Sequence, residues 1–137
     1  MSQPRMSHHA ALLTCTGFGS VGSSVFWFGL GFVAHHGYGF SQATSLVLYA
    51  VLGGFYVAGS LLSEPWIRAG RARRSARAQL AWILVAEALV ATLPVLVHAA
   101  WALWVGAIAV SFLSALMWPL IESYLTAGHQ GAGLRTK

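Results

Sequence analysis

Aspartate is absent from this chain, glutamate occurs three times (Glu64, Glu87 and Glu122), lysine once and cysteine once. Only 8% of the 137 residues are charged, where a soluble domain carries about 25%. The lone Cys15 excludes a disulfide framework within one chain, and its apolar surroundings suit a small buried residue. Enzyme chemistry of the familiar soluble kinds is missing too. There is no Ser/His/acid order with an oxyanion signature, no Cys and His set at zinc spacing and no phosphate loop. Gly17-x-Gly19-x-x-Gly22 matches a dinucleotide fingerprint in letters, but it lies within a long apolar run rather than after a strand. No catalytic residue, metal or cofactor is expected.

What the chain has instead is hydrocarbon: 57% of its residues are hydrophobic, in long runs almost free of charge. A run of about 20 apolar residues, rising 1.5 Å each, spans a 30 Å bilayer core. The lipid bilayer is therefore the expected partner. A net charge of +5 could point to nucleic acid, but that needs a polar, solvated surface for the basic groups, and here they sit at the edges of apolar segments. No nucleic acid is expected.

Four transmembrane helices are predicted, at about 10–34, 42–62, 79–98 and 100–127. A cytoplasmic leader (1–9) precedes them. The leader is read as retained, because the apolar run after it is longer than a signal peptide's core and no small-residue cleavage signature is evident. A polar tail (128–137) follows the last helix. The first helix is rich in small residues, with Gly19/Ser23 and Ser20/Ser24 at the spacing that lets helix backbones approach closely in lipid. Glu64-Pro65-Trp66 is expected to end the second helix, because proline disfavours helix in the residue before it and Trp favours the interface. His35 and His36 sit in the turn before the second helix, and neighbours on a turn do not converge on one ion without further ligands.

The basic loop at 65–78 organises the topology. Arg68, Arg71, Arg73, Arg74 and Arg77 are five of the chain's eight Lys and Arg residues, and none of them belongs in hydrocarbon. With four crossings, the leader, this loop and the tail share one face and hold all eight, while the two opposite loops hold none. The positive-inside rule then places both termini in the cytoplasm, as expected for a multi-pass protein of the inner cell membrane.

Two acids are out of place. Glu87 falls near the middle of the third helix, where an acid by default marks a functional group facing protein or water. It reads either as a proton-coupling or cation site, or as a neutral carboxyl hydrogen-bonded to Ser, Tyr or Trp of a neighbouring helix. Glu122, three residues after Pro119, lies near the cytoplasmic end of the fourth helix, within reach of an arginine of the leader or loop. Glu64 has the same reading, an electrostatic clamp.

Arg68-x-Gly70-Arg71 in a short basic loop between the second and third helices resembles the start of a major facilitator superfamily transporter. Met117-Trp118-Pro119-Leu120-Ile121-Glu122-Ser123-Tyr124-Leu125 looks like that family's fourth-helix ending. The family's acid falls on Ile67 and its first glycine on Ser63, with Glu64 and Gly59 nearby but out of register. The resemblance implies a conformational latch formed by Arg68, Gly70, Arg71 and Glu64. It also implies a solute pathway lined by the first, second and fourth helices, with Tyr49, Tyr56, Trp118 and Tyr124 as candidate lining residues. In the family the third helix is peripheral, which favours a structural Glu87. The fold class is thus an all-α integral membrane protein of four transmembrane helices, resembling the start of the twelve-helix major facilitator fold. Four helices of twelve read as the amino-terminal part of a secondary transporter that moves an unknown small-molecule substrate by alternating access. Its pathway would be completed by missing carboxy-terminal helices or another chain. The alternatives are a small four-helix homodimeric exporter, since such exporters also carry a membrane-embedded Glu, and a non-transporting membrane scaffold or assembly subunit.

Overall fold

The computed structural model describes residues 6–71 and 75–133, with side chains chiefly within 17–70 and 75–122. Four long helices carry the described chain: α1 (Met6–Phe32), α2 (Gln42–Arg71), α3 (Ala76–Leu96) and α4 (Ala100–Gly133). All four are long and apolar enough to cross a membrane, the mark of a multi-pass membrane protein. Two compact units emerge, Met1–Ser41 and Gln42–Lys137.

In the first unit, α1 presents Phe18, Val21, Val25, Phe28 and Phe32 as an exposed apolar stripe. Their spacing of three and four residues puts them on one helix face. The helix runs on through a π-helical turn, Val33–Gly37. Gly39 then stops it: its φ of +68° is a left-handed conformation that glycine adopts without penalty. The Gly39 and Phe40 amides donate back to the His35 and Ala34 carbonyls at 3.1 and 2.9 Å, satisfying the last turn.

In the second unit, α4 lies between α2 and α3 and packs against both, while α2 and α3 scarcely touch. Accordingly 56% of the α4 span is buried, against 17% for α2 and 11% for α3. Ser111 of α4 donates to the Leu52 carbonyl near the start of α2. Ile67, near the end of α2, joins Leu116, Met117 and Leu120 in a buried cluster with Ile83 from the start of α3. The α2 and α4 helices therefore run parallel, and α3 runs against both.

Both small and large residues line the helix seams, and large apolar residues also face outward. Ala102, Ala107, Ser111, Ser114 and Ala115 lie buried on α4, while Leu46, Val57 and Leu61 on α2 and Trp82, Val85 and Leu89 on α3 face outward. Lipid is as apolar as a leucine side chain, so small residues gather where helices touch and large ones meet the tails. Gly59 is the tightest point of the α2–α4 seam: a β-carbon there would lie 2.7 Å from the Phe112 carbonyl oxygen and 2.9 Å from Ala115 Cβ. On the other seam, Pro94 within α3 has no N–H to give the Val90 carbonyl. Gly106 of α4 admits this irregular turn; a β-carbon on it would stand 3.0 Å from the Pro94 ring and 3.3 Å from Val90 O.

The helix ends correct the sequence reading. α2 does not stop at Leu62 but continues through Pro65 to Arg71. Proline removes only the bond to the carbonyl one turn earlier, and at an exposed helix end water can replace that donor. At 30 residues, α2 is about 45 Å long, some 15 Å more than the hydrocarbon core is thick. Within the loop expected at 65–78, residues 65–71, among them Arg68, Gly70 and Arg71, lie on helix. α3 begins at Ala76 rather than 79 because Ser75 caps it, its hydroxyl accepting from Ala78 N–H at 3.3 Å. It ends at Leu96 rather than 98. α1 starts before residue 10, and α4 continues past 127 to Gly133.

Candidate functional site

Hydroxyls in membrane helices commonly bond a carbonyl of their own helix, and Ser24, Ser63 and Thr92 do so here. Ser111 and Ser114 differ. Ser111, fully buried, reaches across to the Leu52 carbonyl at 2.8 Å. Ser114, one turn on, donates to Oε1 of Glu87 on α3. Glu87 is half-buried, so one carboxylate oxygen is held at the α3–α4 seam within the apolar span. Lys and Arg are absent from α3 between Ala78 and Leu96 and from α4, so no fixed cation of these helices neutralises it. A carboxyl so placed can take up or release a proton, or hold a cation. The neighbouring-helix hydroxyl expected for Glu87 is Ser114; serine at 114 gave no signal of its own among the apolar residues of α4.

The latch residues are distributed along the end of α2. Arg68 pairs with Glu64 at 2.5 Å, both side chains being largely exposed. The two are four residues apart on one helix, so the pair ties α2 to itself rather than to a neighbour. Gly70 packs against Gln79 of α3: a β-carbon at 70 would stand 1.9 Å from Gln79 Nε2. The Arg71 side chain lies outside the described residues. Ile67, where the resembled family has its acid, is a buried core residue that packs with Ile83 and Leu120, so it supplies contact and no charge.

Among the candidate lining residues, Tyr49 and Tyr56 are half-buried on α2, and Trp118 packs against the Ile67–Leu120 cluster. The Tyr124 side chain lies outside the described residues. Glu122 is exposed on α4. His35 and His36 stack edge to face with ring centres 4.8 Å apart, and His35 Nδ1 sits 2.9 Å from the Phe40 carbonyl, which closes the turn.

No protein-family model, curated protein or solved structure matches the chain.

Proposed function

We propose that this chain moves a small solute across the inner cell membrane by alternating access, as the amino-terminal part of a major facilitator type secondary transporter with both termini in the cytoplasm. The observation that carries this reading is the Glu87–Ser114 contact. An ionisable group inside a span is expensive to keep there and by default points to an ion or substrate pathway, although the resembled family's peripheral third helix favours a structural role for it. Support also comes from the basic end of α2, where Arg68 and Arg71 stand in the order that the superfamily uses between its second and third helices.

The two seams differ in what holds them. The α2–α4 contact is locked by Gly59 and the Ser111–Leu52 bond. The α3–α4 contact runs over the Pro94 irregularity and carries one titratable hydrogen bond. In this account Glu87 exchanges Ser114 for a proton or a cationic group as the helices shift. Tyr49, Tyr56 and Trp118 then supply aromatic surface to the pathway, and further helices or another chain complete it.

The test uses vesicles made from membranes that contain the chain together with the helices that complete it, with a pH-sensitive dye, an imposed pH gradient, and a panel of sugars, amino acids, peptides and organic cations. A solute class should accelerate collapse of the gradient with the native chain and not with Glu87→Gln. Equal traces for both chains, with every class, would favour the scaffold reading.

A further inference from the structure

The contact between the end of α2 and the start of α3 leaves a polar group unsatisfied, and the transport account does not use it. Gln79 of α3 is 2% exposed, and neither its Nε2 nor its Oε1 has a hydrogen-bond partner among the described residues. A buried amide without partners is unfavourable and rare. Gly70 of α2 is what seals it: a β-carbon on Gly70 would stand 1.9 Å from Nε2 and 2.7 Å from Cδ. The closed contact therefore gains no polar bond from the amide it covers. Because α2 and α3 scarcely touch, little besides this contact and the shared packing on α4 ties the two together.

The cover is jointed. Pro65 lies within α2 and has no N–H to give the Leu61 carbonyl. Just before it, the Ser63 hydroxyl donates to the Ser60 carbonyl at 2.7 Å, and back-bonding of this kind often bends helices. Two successive carbonyls thus depart from the regular ladder, at the place where prolines let helices kink. Glu64 and Arg68 pair one turn apart beyond the joint, so this charge pair rides on the moving part and does not oppose the motion. What holds the part down is Ile67, buried with Ile83 and Leu120. Withdrawing one isoleucine from such a cluster loses about as much as solvating one amide gains, so the closed and open states lie close in energy. Arg68 and Arg77 are exposed at this end, and guanidinium groups keep to water or headgroups. An uncovered amide finds partners there.

We propose that residues 64–71 form an arm that swings about the turn before Pro65, in one position sealing Gln79 beneath Gly70 and in the other releasing it to water. The structure holds the sealed position. This inference is independent of transport.

The experiment measures a distance within the full chain in dodecyl maltoside, with Cys15→Ser. Spin labels go on Ala69→Cys, on the arm, and Leu96→Cys, at the far end of α3, both at exposed positions, and pulsed electron resonance reads their separation. The α3 end is the fixed point, since Pro94 packs on Gly106 of α4 beside it. The native chain should show two separations. Gln79→Met keeps a side chain of similar length without the amide, and should cut the open population roughly tenfold, the weight of one unsatisfied amide. Pro65→Ala, which restores a donor to Leu61, should cut it too. Gly70→Ala should enlarge it, because its β-carbon has no room beside the amide. A single separation in the native chain overturns the proposal. So does a second separation whose share Gln79→Met leaves at its native size, and that comparison decides the matter alone if Gly70→Ala fails to fold.

Discussion

Replacing Gly59 with alanine should loosen the unit formed by α2, α3 and α4, while the same change at Gly53 should tighten it. The new β-carbon at 59 lies 2.7 Å from the Phe112 carbonyl oxygen and 2.9 Å from Ala115 Cβ. Ordinary carbon contacts begin at about 3.5 Å, so both overlaps exceed half an ångström. One of the obstructing atoms is backbone and cannot rotate aside. The helices must part, which disturbs the neighbouring Ser111–Leu52 bond; overpacking of this kind costs roughly 1–3 kcal/mol. Against it stands about 0.5–1 kcal/mol gained whenever alanine replaces glycine inside a helix. At Gly53 nothing lies within 4 Å of the added carbon, so only the gain remains. Unfolding in mixed detergent and dodecyl sulfate micelles, followed by circular dichroism, should therefore move in opposite directions for the two variants. Equal shifts would refute the parallel α2–α4 seam.

Ser111→Ala should lower stability by about 1 kcal/mol, the ordinary weight of one hydrogen bond, in the same assay. Glu87→Gln keeps an oxygen for Ser114 and should leave that assay almost unchanged while removing proton-coupled movement in vesicles. Neutralising Glu64 should change stability by no more than about 0.5 kcal/mol, since exposed pairs one turn apart on a helix are worth little; a larger loss would show that Glu64 holds something besides Arg68. Gly106→Val should destabilise by driving a branched side chain into the Pro94 turn, and Pro94→Ala in the same chain should restore part of the loss.

The sequence made the spans legible because lipid imposes them through composition alone: long stretches without charge must lie somewhere other than water. It also located the basic end, since guanidinium groups cannot enter hydrocarbon. Helix ends were harder to read. The apolar stretch of α2 does end near Leu62, but hydrocarbon limits and helix limits are different boundaries, and Pro65 lies in the gap between them. Once the helix is seen to continue, the Glu64–Arg68 pair follows from their separation by one turn. Glu87 was visible as an anomaly, and a hydroxyl or aromatic on a neighbouring helix was among its expected partners. Ser114 could not be singled out, because that requires knowing that α4 lies against α3 with opposite direction. The contacts of Gln79 and Gly59 could not be read either; burial without a partner, and backbone contact without a side chain, exist only after helices have packed.

Alternating access has one direct signature, a position reached from each face of the membrane in turn. With Cys15 replaced by serine, a single cysteine at Tyr56 can be offered a membrane-impermeant maleimide from outside and, in inverted vesicles, from inside. The account predicts modification from both sides, with protection on one side when the other is trapped open. A cysteine there that reacts from one side only, or from neither, contradicts it.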